Sequence, residues 1–212
     1  MFKTINKAYQ IFNRYKLKEE IDVCTYCCVT AEEKQKLETL ALSEIPHELI
    51  YIHNTAATSI KPPIEEFKYF LPRYLELIAE TKFPSHSIEL SLKRIKHYET
   101  QEFTDEEIQI IHEFCSKFFE QTLANYPIPD DDHIDAVLVM LYDAKCDMND
   151  ILKIWSNDQS KSGNRHFTDF VNHCLNKRRN TINNPFSNKL LDQIIEDWLD
   201  NNELYKTKYE QL

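Results

Sequence analysis

Apolar residues recur along most of the chain with the three-to-four-residue spacing of one face of an α-helix. The clearest stripe occupies residues 67–78, and comparable stripes follow at 108–123, 134–141, 167–175 and 190–199. This period places the apolar side chains of each helix on one face, where they can be buried. The pattern predicts an all-α fold of roughly nine or ten helices with little or no sheet, arranged as a globular multi-helix assembly or a HEAT-like array.

Capping signals and one internal proline indicate where several helices begin and how they continue. Thr30 and Glu33 have the spacing of a capping box, and so do Thr104 and Glu107. In this motif the hydroxyl and the carboxylate each accept a hydrogen bond from a backbone N–H that the first helical turn leaves unpaired. Pro72 lies within a stripe that continues beyond it without a change of phase. We therefore expect a helix that bends about one turn upstream of Pro72, near Lys68, and does not end there.

The loop 126–132, with the sequence YPIPDDD, is the strongest candidate for a boundary within the chain. Its two prolines and three consecutive aspartates separate two helical stripes and are unsuited to a helix interior. A chain of 212 residues is long enough for one large or two small domains. We expect one helical domain, or two subdomains, 1–126 and 130–212, separated by this loop.

The composition argues against several classes of function. The sequence contains one glycine, Gly163, so it lacks the glycine-rich loops with which dinucleotide and phosphate sites bring backbone close to their ligands. Its 25 basic and 35 acidic residues give a net charge of -10, which repels nucleic acid and anionic membranes. The chain has no apolar signal segment and no stretch of about 18 uncharged apolar residues. We expect a cytoplasmic protein without nucleic-acid or membrane partners.

Three of the six cysteines lie within five positions, in the segment VCTYCCVT. Cys24 and Cys27 have the spacing of a pair of zinc ligands, and His47 and His53 are the obvious pair to complete a site. Six residues apart on a helix, however, the two imidazoles would point about 120° apart. The interpretation we favour is that all six cysteines are free thiols of a reducing cytoplasm, and that these three are small and buried beneath the helix that starts at Thr30. A metal site at Cys24 and Cys27 is the alternative.

Two further cysteines fall on apolar stripes. Cys115 and Cys174 each occupy the apolar face of a predicted helix, where burial would raise the pKa of the thiol and block access to it. We therefore expect both to be core residues. His112, three positions before Cys115, is not expected to form a catalytic pair with it.

Clusters of acidic residues occur at 130–132, 143–150 and 196–203. Because no active-site motif accompanies them, we interpret them as a surface that attracts a basic partner. The candidate partner-binding residues are Asp130, Asp131, Asp132, Asp143, Asp147, Asp150, Glu196, Asp197, Asp200 and Glu203.

Four short motifs give the chain a resemblance to a known group of sequences. They are Cys24-x-x-Cys27, Thr30-x-Glu-Glu33, FLPRYLEL at 70–77 and Trp198-Leu-x-Asp200. Together they resemble a group of uncharacterised helical bacterial proteins of similar length, and the likeness covers most of the chain. The resemblance implies a bacterial cytoplasmic helical protein and carries no activity with it.

These observations favour a non-catalytic binding protein over an enzyme, and no cofactor is expected. The most specific hypothesis is an immunity protein that neutralises a cognate bacterial toxin by direct binding. Toxins that act on nucleic acid are commonly basic, and an acidic inhibitor can cover their active sites. Two alternatives stay open: a zinc-binding protein or metal-dependent enzyme built on Cys24 and Cys27, and a helical scaffold or homo-oligomer with an exposed aromatic face around Tyr51 or Tyr69. The sequence does not define the oligomeric state.

Overall fold

The computed structural model describes residues 1–17, 20–58, 62–129, 132–176 and 181–201. Within these ranges the chain forms nine α-helices and a two-stranded antiparallel sheet, so the predicted all-α fold class is confirmed. The helices are α1 (Phe2–Phe12), α2 (Ala31–Thr39), α3 (His47–Thr55), α4 (Ile64–Ala79), α5 (Asp105–Ala124), α6 (Ile134–Asp143), α7 (Met148–Asn157), α8 (Lys161–Asp169) and α9 (Lys189–Asp200). The strands are β1 (Leu175–Asn176) and β2 (Thr181–Ile182), with Leu175 opposite Ile182. Short 3₁₀ helices occupy Leu42–Glu44, Ile88–Leu90, Lys93–His97 and Thr100–Glu102, and a π-helical turn occupies Phe170–Cys174.

The chain divides into two compact units, Met1–Phe114 and Cys115–Leu212. The division falls inside α5. The loop 126–132, proposed from the sequence as a boundary, belongs to the second unit. The subdomains 1–126 and 130–212 stay a prediction. In the part of the chain that is described, no helix has both the length and the apolar composition that a membrane crossing requires.

Both predicted capping boxes are present. At the start of α2, Glu33 N–H donates to Thr30 Oγ1, and Thr30 N–H donates to Glu33 Oε2 at 2.8 Å. Thr104 and Glu107 exchange the same two hydrogen bonds at the start of α5. Helix α4 continues through the buried Pro72, as the unbroken stripe predicted.

The stripe of α4 forms the centre of the first unit. Each of its apolar side chains is at most 1% exposed: Phe67, Phe70, Leu71, Tyr74, Leu75 and Ile78. Helix α1 packs against α4 through its own buried face, which includes Ile5 and Ala8. Removal of this apolar surface from water is the main stabilising contribution.

An aromatic cluster around Trp155 holds α7 and α9 together in the second unit. The Trp155 ring stacks on Trp198 with centroids 5.3 Å apart, and Trp198 Nε1 donates to Ser156 Oγ at 2.8 Å. Phe167 and Phe170 meet the Trp155 ring edge-on. The cluster buries Trp155, and the hydroxyl of Ser156 satisfies the indole N–H of Trp198.

The cysteines of the second unit are buried, but two of them are not free. Cys115 is fully buried, as its apolar stripe predicted, and it forms a disulfide with Cys146. The expectation that all six cysteines are free thiols is therefore wrong for this pair. Cys174 is buried and free, and burial raises the pKa of its thiol.

Two helices end in a left-handed residue that is not glycine. At the end of α4, Thr81 has φ 59°; its N–H donates to Ile78 O, and Lys82 N–H donates to Leu77 O. These are the two hydrogen bonds of a Schellman motif, which pairs carbonyls that the last helical turn leaves free. Helix α6 ends in the same motif, with Lys145 at φ 60°. Glycine is the usual residue at this position because it has no Cβ to clash.

The single glycine serves a different purpose. Gly163 lies in α8 and does not have a positive φ. A Cβ at this position would overlap Asp158 Oδ2, which accepts a hydrogen bond from Ser160 Oγ at 2.7 Å. Gly163 therefore provides space next to the cap of α8.

Candidate functional site: a thiol cluster joined to a cationic pocket

Three thiols converge at the surface of the first unit, which contradicts the interpretation of these cysteines as buried packing residues. Cys24 is partly exposed, and Cys27 and Cys28 are exposed. The Sγ atom of Cys27 lies 3.5 Å from that of Cys24 and 3.4 Å from that of Cys28. All three Sγ atoms lie within 4.8 Å of one another. We call this group the thiol cluster.

The loop that carries the thiol cluster is fixed at both ends. The N–H groups of Cys28 and Val29 donate to Cys24 O at 3.3 and 3.1 Å, which closes a tight turn. Val29 is buried, and the next residue, Thr30, caps α2. At the other end, Cys24 N–H donates to Ala57 O at 2.8 Å, just beyond α3. Burial of the flanking side chain and these backbone hydrogen bonds leave the thiols on the outside of the turn.

The thiols differ in how readily they ionise. Hydrogen bonds from the backbone N–H groups of Cys27 and Tyr26 lower the pKa of the Cys24 thiol. The hydrogen bonds and charges of the neighbouring sulfurs of Cys28 and Cys24 raise the pKa of Cys27 to about 11. Cys24 therefore ionises more readily than Cys27. The thiolate is the form of cysteine that acts as a metal ligand.

The spacing of the sulfurs fits a thiophilic ion. Zn–S bonds of about 2.3 Å at tetrahedral angles put neighbouring sulfurs about 3.8 Å apart. The observed separations of 3.4 and 3.5 Å require only a small adjustment to reach that value. Three thiolates leave one tetrahedral position for an exogenous ligand, and soft sulfur ligands select zinc, copper(I) or iron–sulfur centres over magnesium or calcium.

Neither histidine considered from the sequence belongs to this ligand set. His47 Nε2 lies 2.9 Å from Phe83 O. His53 is fully buried, with Nδ1 2.8 Å from the Tyr74 hydroxyl and Nε2 3.0 Å from Glu66 Oε1. Within the described ranges, the thiol cluster is the one group of three or more potential ligands that could hold a metal ion.

The buried His53 joins the thiol loop to the interior of the unit. Burial lowers the pKa of His53 to about 4, against the opposing effect of Glu66. The neutral imidazole donates from Nε2 to Glu66 and accepts at Nδ1 from the Tyr74 hydroxyl. The second carboxylate oxygen, Glu66 Oε2, accepts from Asp22 N–H at 2.8 Å. The segment that leads into the thiol cluster is thus anchored on a buried polar group.

A pocket of about 230 Å³ lies next to the point where the thiol loop meets α3. It is lined by Asn54, Ala56, Ala57, Thr58, Pro62, Lys93, Arg94, His97 and Tyr98. The end of α3 and the 3₁₀ helix Lys93–His97 supply its polar side chains. Residues 59–61 lie outside the described residues. Ala57, whose carbonyl accepts the hydrogen bond from Cys24, is part of the pocket wall.

Two buried polar atoms of the lining side chains have no hydrogen-bond partner among the described residues. Arg94 is 6% exposed; its Nη2 donates to His53 O, and its Nη1 is unpaired. Asn54 is 2% exposed; its Nδ2 donates to Pro84 O at 2.8 Å, and its Oδ1 is unpaired. An unpaired buried polar atom is costly, and in native structures it points to a missing partner.

The pocket is also positively charged, although the chain as a whole is acidic. Burial and the adjacent charges of Arg94 and Lys96 lower the pKa of Lys93. Neither Lys93 nor Arg94 has a salt bridge to any residue that the structure describes. Two cations thus line the pocket without a salt bridge to a described carboxylate, although Asp22 and Glu66 act electrostatically on the lining residue Tyr98.

The acidic residues proposed as a partner surface have varied environments. Asp147 and Asp150 are exposed on or next to α7, Asp197 and Asp200 are exposed on α9, and Glu196 and Asp132 are partly exposed. Asp143 is 6% exposed and is therefore not part of an exposed acidic surface. Asp130, Asp131 and Glu203 lie outside the described residues.

The aromatic face considered for a scaffold is not exposed. Tyr51 and Tyr69 are both partly buried, and the Tyr69 ring meets Phe70 edge-on at 5.0 Å. The most exposed aromatic side chain among those described is Tyr26, at 98%, within the thiol loop.

Little in the sequence indicated the pocket. Asn54, Lys93 and Arg94 belong to no motif, and the one local signal is the basic run KRIKH at 93–97. Comparison of the chain with models of protein families, with curated proteins and with solved structures finds no match. The chemistry of the site therefore rests on the geometry of its own residues.

Proposed function

We propose that this protein is a non-catalytic metal-binding protein that holds zinc through the thiolates of Cys24, Cys27 and Cys28. The observation that carries the proposal is the convergence of three Sγ atoms within 4.8 Å on one turn. Exposure of the thiols gives an ion access to them, and the fixed ends of the loop reduce the entropy lost when the ligands are ordered around it. Zinc is favoured because it accepts a thiolate-rich tetrahedral set.

Elemental analysis tests the proposal. The full chain, purified with a reductant and without chelator, is expected to contain one zinc ion, and cobalt(II) in its place should give a thiolate charge-transfer band. Cys28→Ser should weaken zinc binding by at least about a hundredfold, since even the loss of an outer-shell partner costs about 10–100-fold. Cys174→Ser is the matched control, because Cys174 is a free thiol buried in the second unit.

Two results would contradict zinc binding. One is a protein without zinc that gives no thiolate band with cobalt(II). The other is a Cys24→Ser, Cys27→Ser, Cys28→Ser variant with the zinc content of the wild type. A disulfide between Cys24 and Cys27 in protein kept under reductant, identified by mass spectrometry, would also count against a metal site.

A second candidate is an immunity protein that neutralises a basic bacterial toxin by direct binding. It is supported by the exposed carboxylates of α7 and α9, Asp150, Asp197 and Asp200, on two helices that contact each other. Opposite potentials accelerate encounter and favour the correct partner. The expected partner is a basic protein domain, and the role requires no chemistry of the inhibitor's own.

Coexpression with the C-terminal domain encoded by the neighbouring gene, followed by size-exclusion chromatography, tests this candidate. A stable complex should form, and its association rate should fall as salt is raised. Asp197→Asn with Asp200→Asn should slow association, whereas Glu32→Gln, at an exposed position in the first unit, should not. Separate elution of the two proteins at physiological salt would contradict the candidate, and a rate independent of salt would contradict its electrostatic part.

A further inference from the structure

The unpaired Arg94 Nη1 indicates that the pocket receives an anion. One face of the guanidinium is already used, since Nη2 donates to His53 O. The other nitrogen, Nη1, is buried and unpaired within the described part of the chain, although Arg94 lines an open pocket. Arginine keeps its charge at any ordinary pH and donates to oxygen acceptors in fixed directions. An oxyanion in the pocket would accept from Nη1 and neutralise the buried charge.

Lys93 indicates the charge of that anion. It lies on the same 3₁₀ helix as Arg94, lines the same pocket and has no salt bridge to a described residue. Two adjacent cations repel each other, and a ligand with two negative charges relieves that repulsion better than a monoanion does. A phosphate monoester carries close to two negative charges at neutral pH.

Asn54 indicates a second group on the ligand. Its Nδ2 donates to the carbonyl oxygens of Pro84 and Leu90, at 2.8 and 3.4 Å, so its amide orientation is fixed by acceptors. The remaining atom, Oδ1, can only accept, and it is buried without a donor among the described residues. Phosphate oxygens do not supply a donor, whereas a hydroxyl on the same ligand does.

We propose that the pocket lined by Asn54, Lys93 and Arg94 binds a small phosphate monoester that carries a hydroxyl group. The phosphate accepts from Arg94 Nη1 and Lys93 Nζ, and the hydroxyl donates to Asn54 Oδ1. The volume of about 230 Å³ is below the roughly 300 Å³ at which sites for drug-sized ligands begin, so the ligand is small. Side chains supply the donors here, so the site does not require the glycine-rich loop that the sequence lacks.

Titration calorimetry of the full chain in phosphate-free buffer tests the proposal with four probes. They are inorganic phosphate, glycerol 3-phosphate, n-propyl phosphate, which lacks the hydroxyl, and glycerate, which replaces the phosphate by a carboxylate. Glycerol 3-phosphate should bind more tightly than n-propyl phosphate because only the former can donate to Asn54. It should bind at least about tenfold more tightly than glycerate, because two cations face the anion and the phosphate carries more negative charge than the carboxylate.

Lys93→Gln is the main variant, because no described hydrogen bond or salt bridge of the fold depends on the Lys93 side chain. It should weaken glycerol 3-phosphate binding roughly tenfold, the change expected for one charge-assisted hydrogen bond. Lys3→Gln on α1, where the lysine is exposed and does not line the pocket, is the matched control and should bind as the wild type does. Arg94→Gln should abolish binding; if it does not fold, Lys93→Gln decides.

Three results would overturn the proposal. The first is no heat of binding for any phosphate probe at millimolar concentration. The second is equal affinity of the wild type and Lys93→Gln for glycerol 3-phosphate, which would remove the assigned site. The third is glycerate binding as tightly as glycerol 3-phosphate, which would remove the assigned ligand class. These results do not depend on zinc at the thiol cluster, since the variants and probes leave the cysteines unchanged.

Discussion

Mild acid should destabilise the first unit through His53. Burial holds the pKa of this imidazole at about 4, compared with about 6.5 in an unfolded chain. As the pH falls below about 6.5, the unfolded chain takes up a proton that the folded protein does not, so unfolding becomes more favourable. The loss develops between about pH 6.5 and pH 4 and reaches about 3 kcal/mol below that window. Between about pH 7.5 and pH 5 the expected loss is about 2 kcal/mol.

Urea unfolding of the wild type and of His53→Gln across this range measures the effect. Burial also lowers the pKa of His166, in the second unit, so His166 adds its own acid dependence to both proteins. The informative quantity is therefore the difference in stability between the wild type and His53→Gln. The stability advantage of the wild type over His53→Gln should shrink by about 2 kcal/mol as the pH falls from about 7.5 to about 5. Tyr74→Phe is the matched control. It removes the hydroxyl that bonds Nδ1 but keeps the buried environment, so the pH dependence should persist.

An NMR titration of the His53 ring provides a direct check. If the imidazole became protonated near its ordinary pKa, burial would not be controlling its charge. A His53→Gln protein that lost as much stability in acid as the wild type would equally refute the reasoning.

Three further predictions concern stability measured by urea unfolding at neutral pH. Lys68→Met should cost about 2 kcal/mol, because it removes the ammonium that lies 2.8 Å from the fully buried Glu107 and leaves Arg14 as the cationic partner of that carboxylate, and adding Glu107→Gln should recover part of the loss. Thr81→Gly should stabilise the protein by about 1 kcal/mol, because it removes a Cβ from a left-handed residue; an unchanged midpoint would contradict this. Replacing glycine by alanine within a helix usually stabilises a protein by roughly 1 kcal/mol. Gly163→Ala should not show this gain in stability, because the new Cβ overlaps Asp158. The gain should appear when Asp158→Ala is also present.

The sequence predicted those features that depend on residues close together in the chain. The capping boxes at Thr30 and Thr104 and the buried stripe of α4 follow from spacing alone, and all three are confirmed. The disulfide joins Cys115 to Cys146 across 31 positions, and no local pattern specifies such a pair.

The candidate site was harder to predict because its environment is tertiary. The general tendency of free cysteine to be buried led to the wrong interpretation of the thiol cluster. The turn is anchored instead by its apolar neighbours Ile21 and Val29, which are buried in place of the thiols. The unpaired Arg94 nitrogen arises where the end of α3 meets a 3₁₀ helix, and Arg94 lies 41 positions from His53, whose carbonyl oxygen accepts its other hydrogen bond. Periodicity within a single helix carries no information about such a contact.

If zinc occupies the thiol cluster and a phosphate ester occupies the pocket, as proposed, the hydrogen bond from Cys24 N–H to Ala57 O connects the two sites. Cys24 belongs to the thiol cluster and Ala57 to the pocket wall, so a displacement of the turn on metal uptake would be transmitted to the wall through a single peptide contact. Thermodynamic linkage makes such an influence mutual: whatever factor zinc contributes to phosphate affinity, phosphate returns to zinc affinity. The affinity of the protein for each ligand would then depend on the concentration of the other.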